Sequence, residues 1–208
     1  MNPADRVSRI GLLGGTFDPP HMAHLALAKL ALSHLHLDQV RWMPAGLPWQ
    51  KMVGSGPVPS QAAHRLAMVS LAIQDEPRFV LDDREVRRQG SSYTVDTLRE
   101  LRAEHPHARW FLIIGQDQLG RFDTWKGWRQ VLQWVTLAVA PRSGQPLKPP
   151  AAFSEVEASI ESLPMPEIPV SSTELRRAVS RGEDISLLAG EAVAGYIAHH
   201  HLYQDAAA

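Results

Sequence analysis

The sequence predicts an α/β fold in which helices cover both faces of a doubly wound, mostly parallel sheet. Short, uninterrupted apolar runs alternate with longer segments in which apolar residues recur every three or four positions. The first pattern is typical of parallel strands buried on both faces, and the second is typical of amphipathic helices. With 208 residues, the chain is long enough to bury a single core. We therefore expect one domain over 1–208, with a small helical part from about 171 to 208.

The elements follow in order along the chain. Five apolar runs are predicted as strands, at 10–13, 40–43, 79–81, 110–114 and 135–140. Helices are expected over 22–35, 60–74, 94–104, 172–180 and 190–200, with Ser60 capping the second of them. Residues 44–60 contain four prolines and three glycines, which predicts a long loop. The arginines within 84–88 are expected to lie in a solvated strand or loop.

Composition narrows the class of protein. The formal net charge is −1 and there is no cysteine, which excludes disulfides, thiolate metal sites and cysteine nucleophiles. A balanced charge argues against an extended nucleic-acid surface, although not against a small anion site. No apolar run reaches the length of a membrane span, and residues 1–9 lack the apolar core of a signal peptide. We therefore expect a cytoplasmic protein that binds neither nucleic acid nor membrane.

The turn after the first predicted strand has an unusual composition. Residues 14–24 read Gly-Gly-Thr-Phe-Asp-Pro-Pro-His-Met-Ala-His. Ligands of open α/β sheets bind beyond the carboxyl ends of the strands, and His21 and His24 share one face at a helix N-terminus, which favours anions. The segment therefore predicts a phosphate site. Two surface histidines are the plainer alternative, and zinc ligation is a third, for which no third ligand is evident.

Two segments carry a resemblance to a known family. Residues 14–24 resemble the signature of the nucleotidyltransferase superfamily with the (H/T)xGH motif, except that Ala23 stands where that family usually has glycine. Residues 170–176, Val-Ser-Ser-Thr-Glu-Leu-Arg, resemble the Ile-Ser-Ser-Thr-x-(Ile/Leu)-Arg motif that accompanies it. Alone, the second segment favours an ordinary capped helix start. Together the two imply a Rossmann-like nucleotidyltransferase fold.

Three further segments resemble bacterial nicotinate mononucleotide adenylyltransferases. They are Ser-Tyr-Thr-Val-Asp-Thr-Leu at 92–98, Gly-Gln-Asp at 115–117 and Phe-Asp-Thr-Trp-Lys-Gly-Trp at 122–128. In the loop, Lys51 matches the family's His-Lys pair whereas Gln50 does not, and Arg142 matches more weakly.

The resemblance implies site residues. It assigns catalysis to His21, His24, Lys51 and Arg176. It assigns ATP binding to Gly14, Gly15, Thr16, Phe17, His21, His24, Gly115, Asp117, Ser172, Thr173 and Arg176. It assigns nicotinate mononucleotide binding to Lys51, Thr94, Asp117, Trp125, Lys126 and Arg142. Lys126 would favour a carboxylate either by its charge or by its backbone N–H.

The function implied is transfer of AMP from ATP to nicotinate mononucleotide, which yields nicotinate adenine dinucleotide and pyrophosphate in NAD biosynthesis. The partners implied are these two small molecules, with Mg²⁺ accompanying ATP and no metal held by the protein alone. Two alternatives stay open: an adenylyltransferase for nicotinamide mononucleotide or another phosphate monoester, and a non-catalytic nucleotide sensor of the same fold. The sequence is also compatible with a homo-oligomer.

Overall fold

A six-stranded, wholly parallel sheet forms the centre of the computed structural model, which describes residues 7–46, 58–142 and 145–204. The strands are β1 (Arg9–Gly15), β2 (Gln39–Pro44), β3 (Phe79–Leu81), β4 (Arg109–Gly115), β5 (Val135–Ala140) and β6 (Ile160–Ser162). Their order across the sheet is β3-β2-β1-β4-β5-β6, with every neighbouring pair parallel. The predicted doubly wound fold is confirmed, and β6 is a strand that the sequence did not reveal.

The described ranges contain nine α-helices, of which the last three follow β6. They are α1 (Met22–His34), α2 (Ala62–Ile73), α3 (Arg84–Arg87), α4 (Thr94–Glu104), α5 (Gln116–Leu119), α6 (Trp128–Trp134), α7 (Ser172–Ser180), α8 (Ser186–Ala189) and α9 (Glu191–His199). Two 3-10 turns occupy Phe122–Thr124 and Ala151–Glu155. None of the helices in the described part of the chain is both long and apolar enough to cross a membrane.

The predicted cap of α2 is wrong. The helix begins at Ala62, and the residue before it, Gln61, makes no side-chain cap. The backbone of Ser60 is used in tertiary contacts instead: its N–H donates to the Asp18 carboxylate and its carbonyl accepts from Arg65.

The expected solvation of the arginines around 84–88 is also wrong in part. Arg84 and Arg87 lie in α3, and the Arg84 side chain is only 15% exposed. It donates to Asp82 and to Glu104, while Arg41 donates to the other side of the Asp82 carboxylate. These pairs tie the edge of the sheet to α4, because buried carboxylates require partners of this kind.

Each face of the sheet has its own apolar core. One cluster joins β4 and β5 to α4 and α6, and the other joins β1 and β2 to α1 and α2. A third cluster packs α7, α8 and α9 around Met68 of α2. The order of strands reverses between β1 and β4, and in such sheets the ligand crevice opens at that switch point.

A substitution at Leu98 tests the packing of the first apolar cluster. Its side chain is fully buried among the α4, α6 and sheet residues, whereas Leu187 of α8 is 91% exposed. Leu98→Ala should lower the free energy of unfolding by about 2–5 kcal/mol, because it leaves a cavity. The identical change at Leu187 should alter it by less than about 0.5 kcal/mol. Urea unfolding of both variants measures the difference, and equal costs would contradict this packing.

Candidate active site

The crevice at the switch point is bordered by glycine on both strands. Gly14 is the last but one residue of β1 and Gly115 is the last residue of β4, and nearby residues Leu13 and Ile113 pair across the two strands. A Cβ added at Gly14 or at Gly115 would meet no atom within 4 Å outside the adjoining residues. Both strand ends therefore face open space, in which a ligand can approach the backbone closely.

The two predicted histidines lie together at the start of α1. Their rings stack with centroids 3.7 Å apart. The backbone N–H of His21 donates to Nδ1 of His24 across 3.2 Å. Since Nδ1 of a neutral His24 is thereby the acceptor, its proton resides on Nε2, which is left as a donor. The predicted common face of the pair is confirmed.

Burial keeps both imidazoles uncharged. Burial lowers the pKa of His21 to about 4, against the opposing influence of the Glu174 carboxylate. Burial, reinforced by the neighbouring His21, lowers the pKa of His24 well below its ordinary value. The site therefore offers neutral N–H donors at pH 7, because each ring would have to be charged in a poorly solvated position to act as a cation.

Phe17 supports the histidines from the core side. It has a left-handed backbone, with φ 51°, and its ring is 2% exposed. The ring meets His24 edge-on at 5.1 Å and Trp42 at 5.3 Å between centroids. Phe17 was predicted to bind ATP, but its side chain is buried, so only its backbone remains suitable for that role.

The distal motif reaches the same turn from the far end of the chain. Ser171 caps α7 by accepting from the Glu174 N–H. The Ser172 hydroxyl donates to the Pro19 carbonyl at 2.9 Å, and Arg176 donates to the Asp18 carbonyl at 2.7 Å. Thus two segments more than 150 residues apart meet at the histidine turn.

Arg176 has a second contact within its own helix. Its other terminal nitrogen donates to the Thr173 hydroxyl at 3.3 Å. The guanidinium is therefore already oriented by α7 and by the turn. A guanidinium carries five N–H donors, so these two bonds leave others for a phosphate.

A second group of predicted residues gathers where α4 begins. Trp125 is half-buried and stacks on Phe122 with centroids 4.8 Å apart. The ammonium of Lys126 lies 4.2 Å from the centre of the Tyr93 ring and 3.8 Å from the Asp96 carboxylate. Thr94 is the first residue of α4. The structure thus brings Thr94, Trp125 and Lys126 into one neighbourhood.

Gly127 makes this neighbourhood close-packed. Its φ is +66°, a left-handed conformation that favours glycine. A Cβ there would lie 3.0 Å from Val95 of α4. The turn that carries Trp125 and Lys126 therefore sits directly against the start of α4.

Asp117 and Arg142 pair with each other, which the sequence did not predict. Both side chains are exposed, and the guanidinium donates to the carboxylate at 2.8 Å. They follow β4 and β5, whose last residues, Gly115 and Ala140, are paired. Asp117 lies in the first turn of α5 and does not cap it, because Gly115 is the residue that precedes the helix.

One predicted residue lies outside the described structure. Lys51 falls within residues 47–57, which the structure does not describe. Its assignment to phosphate binding stays a prediction. Within residues 7–46, 58–142 and 145–204, no group of three or more His, Cys, Asp or Glu residues is arranged to hold a metal ion.

Sequence reasoning missed three polar side chains around the histidine turn: Asp18, Arg65 and Tyr203. Asp18 and Arg65 are buried, with 4% and 2% exposure. Arg65 carried a usable signal, since it shares the buried face of α2 with Met68 and Val69. An arginine at a core-facing helix position must find buried partners.

The fold and the paired motifs together indicate the class of protein to which the chain belongs. The cytidylyltransferase-like family matches residues 12–178, and its match contains both the histidine turn and Arg176. This places the chain among the nucleotidyltransferases.

Comparison with curated relatives is more specific. A probable nicotinate-nucleotide adenylyltransferase of Methylibium petroleiphilum is 48% identical over 94% of this chain and 92% of the relative. One from Bordetella avium is 43% identical over 96% of this chain and 100% of the relative. The chain belongs to the nicotinate-nucleotide adenylyltransferase family.

The fold has solved counterparts. It resembles the Plasmodium falciparum nicotinic acid mononucleotide adenylyltransferase complexed with NaAD, with a TM-score of 0.75, 18% identity, and coverage of 95% of this chain and 98% of that chain. At this identity the likeness supports the architecture.

The lowered pKa of His21 predicts a pH effect on stability. An unfolded histidine titrates at 6.5, whereas the folded pKa is about 4. Between these values the unfolded state binds more protons, so stability falls as the pH falls from 6.5 towards 4. In urea unfolding, the loss between pH 7 and pH 5 should be about 2 kcal/mol smaller in His21→Gln than in the original chain. Parallel losses would show that burial of His21 has no such cost.

Proposed function

We propose that the chain transfers the AMP moiety of ATP to nicotinate mononucleotide and releases pyrophosphate. The product is nicotinate adenine dinucleotide. The observation that carries the proposal is the neutral His21–His24 pair, held at the β1–β4 switch point and joined to Arg176 of the distal motif. Family membership supports the same reaction.

The chemistry requires positioning more than proton transfer. The 5′-phosphate of the mononucleotide is already an anion, so it can attack the α-phosphorus of ATP without a strong base. The new P–O bond forms as the bond to the pyrophosphate oxygen breaks. Catalysis then consists of alignment and of donors aimed at the phosphoryl oxygens, where charge develops.

His24 suits this task as a neutral donor. Its Nδ1 is engaged by the His21 backbone, so Nε2–H is available for a phosphoryl oxygen. A ring held by its Nδ1 hydrogen bond and by contacts with His21 and Phe17 needs little reorganisation during the reaction, which is the basis of electrostatic preorganisation. We assign His21 and His24 to the reacting phosphates.

We infer the remaining ATP contacts from the positions of the strand ends and of the α7 N-terminus. The open strand ends at Gly14 and Gly115 suit close approach of the nucleotide. The N-terminus of α7, with Ser172, Thr173 and Arg176, suits the outer phosphates. We assign Lys51 to phosphate charge on the strength of its sequence match alone.

Mg²⁺ is the metal we propose, and it enters with ATP. In proteins Mg²⁺ is commonly bound through substrate phosphates and one or two carboxylates. When bound, the ion neutralises phosphate charge.

The pyridine ring is assigned to the neighbourhood of Trp125. The half-buried indole offers a face for stacking. Thr94 opens α4 and offers its hydroxyl as well as its N–H, because the first N–H groups of a helix have no partner within the helix. Because the Lys126 ammonium already lies near Asp96, we assign recognition of the nicotinate carboxylate chiefly to Thr94 and to the Lys126 backbone. We assign Asp117 and Arg142 to binding of the mononucleotide.

The same proposal covers the cellular setting. The reaction belongs to NAD biosynthesis, and we propose a single cytoplasmic domain that acts on small molecules and not on nucleic acid.

Replacing His24 tests the catalytic assignment. His24→Ala removes the Nε2 donor and should lower kcat by at least about a hundredfold, the usual cost of losing one transition-state donor. Pyrophosphate release from ATP, Mg²⁺ and nicotinate mononucleotide measures it. His107→Ala, at an exposed histidine, is the matched control and should retain full activity. Near-normal turnover by His24→Ala would refute the assignment, and no turnover by the original chain would favour a nucleotide sensor.

A competition between mononucleotides tests the pyridine site. kcat/KM should be at least about tenfold higher for nicotinate than for nicotinamide mononucleotide, the scale of one hydrogen bond to a charged group. Thr94→Val should reduce that ratio, whereas Lys29→Ala, at an exposed lysine of α1, should leave it unchanged. Equal turnover of the two substrates would refute the pyridine site but not adenylyl transfer itself.

A further inference from the structure

The buried guanidinium of Arg65 connects three separate loops. Its Nη1 donates to the Thr16 carbonyl at 2.9 Å, its Nη2 to the Gly46 carbonyl at 3.2 Å, and its Nε to the Ser60 carbonyl at 3.1 Å. Thr16 belongs to the turn after β1, Gly46 follows β2, and Ser60 precedes α2. One side chain therefore sets the spacing of all three backbones.

The chemistry of this junction requires arginine. Three carbonyls are bound by three nitrogens of one rigid, planar group, which an ammonium on a flexible stem cannot reproduce. Burial lowers the pKa of Arg65, while the nearby Asp18 opposes that effect. A buried cation with three oriented bonds and a nearby carboxylate meets the conditions under which burying charge is tolerated.

Tyr203 completes the junction from the other end of the sequence. Its hydroxyl donates to one oxygen of the Asp18 carboxylate at 2.6 Å, and the Ser60 N–H donates to the other oxygen at 3.1 Å. Burial and the Asp18 charge raise the pKa of Tyr203, so its hydroxyl stays protonated and donates. Asp18 lies two residues after Thr16, in the same turn.

We propose that Arg65 and Tyr203 are positioning residues, which fix the turn that leads into the histidine pair. The inference rests on the adenylyl transfer proposed above. Neither residue is assigned a substrate contact; both act through Thr16 and Asp18. Because only Pro19 and Pro20 separate Asp18 from His21, movement of the turn displaces the imidazoles. Misplacement by about 1 Å is enough to slow an aligned reaction by about a hundredfold.

Replacing Arg65 by lysine is the first test. The change keeps a cation and most of the stem but removes the planar fork. Arg65→Lys should lower kcat by at least about tenfold and change KM for ATP by less than about threefold, since alignment is lost and not the phosphate contacts. The matched control is Arg84→Lys, the same change at an arginine bound to Asp82 and Glu104. It should keep the original kcat when each variant is assayed well below its Tm.

Removing one hydroxyl is the second test. Tyr203→Phe deletes the donor to Asp18 and should lower kcat by at least about threefold through the same loss of alignment. Tyr196→Phe deletes a comparable bond, to Nδ1 of His64 in the C-terminal helical cluster, and should leave kcat unchanged. Histidine side-chain ¹H–¹⁵N spectra give a direct readout. The His24 signals should shift in Arg65→Lys and Tyr203→Phe but not in the two controls.

The outcomes separate this proposal from the proposed function. An original chain that releases no pyrophosphate would count against the function, and the His24 signals would then decide the positioning claim alone. A folded Arg65→Lys variant with the original kcat and unmoved His24 signals overturns the proposal. If Arg65→Lys fails to fold, Tyr203→Phe decides, and an original kcat in that variant overturns it.

Discussion

The carboxylate and carbonyl of Asp18 are the point on which the site depends. Three oxygens of this one residue accept from Ser60, Tyr203 and Arg176. A carboxylate that is only 4% exposed must have its acceptors satisfied. Here each donor comes from a different part of the chain. The requirement of one buried acid therefore also fixes the relative positions of the loop before α2, the distal helix and the histidine turn.

An anion-binding site is ordinarily expected to contain positively charged side chains, and the electrostatics of this site differ from that expectation. Its two histidines are neutral, because burial disfavours their charged forms. The buried cation, Arg65, donates its hydrogen bonds to backbone carbonyls and lies near Asp18. In the proposed function, negative phosphates are met by oriented N–H groups, by helix N-termini and by Arg176. On that proposal, a chain of net charge −1 binds polyphosphates through a few local donors.

Much of the fold could be predicted, because apolar runs and helical periodicity are local. β3, β5, α4 and α7 begin and end at their predicted residues. β6 is three residues long and mostly exposed, so it has no apolar run to detect. The helix α6 was not predicted from the sequence. It begins directly after Gly127, which has a left-handed backbone and packs against Val95. A local pattern of apolar and polar residues does not reveal such a tertiary contact.

In the site too, features that depend on local sequence could be predicted, and those that depend on tertiary contacts could not. His21, His24 and Arg176 could be singled out from the sequence because each lies in a short motif of consecutive residues. The junction of Arg65, Asp18 and Tyr203 was not predicted, because it depends on which loops meet after folding. The mutual pairing of Asp117 and Arg142 was missed for that reason too. Both residues were placed at strand ends, but the choice of partner is a tertiary fact.

The hydrogen bond between Tyr203 and Asp18 has a consequence for how the protein is made. It joins residues 185 positions apart, and contacts of such separation carry the largest loop-closure entropy and form late. The strands β1, β2 and β4 can pair while the C-terminal helices are still being synthesised. The histidine turn receives its last partner only afterwards. We therefore expect the nascent chain to acquire its sheet well before it acquires a working site, so that a partly synthesised chain does not yet process nucleotides.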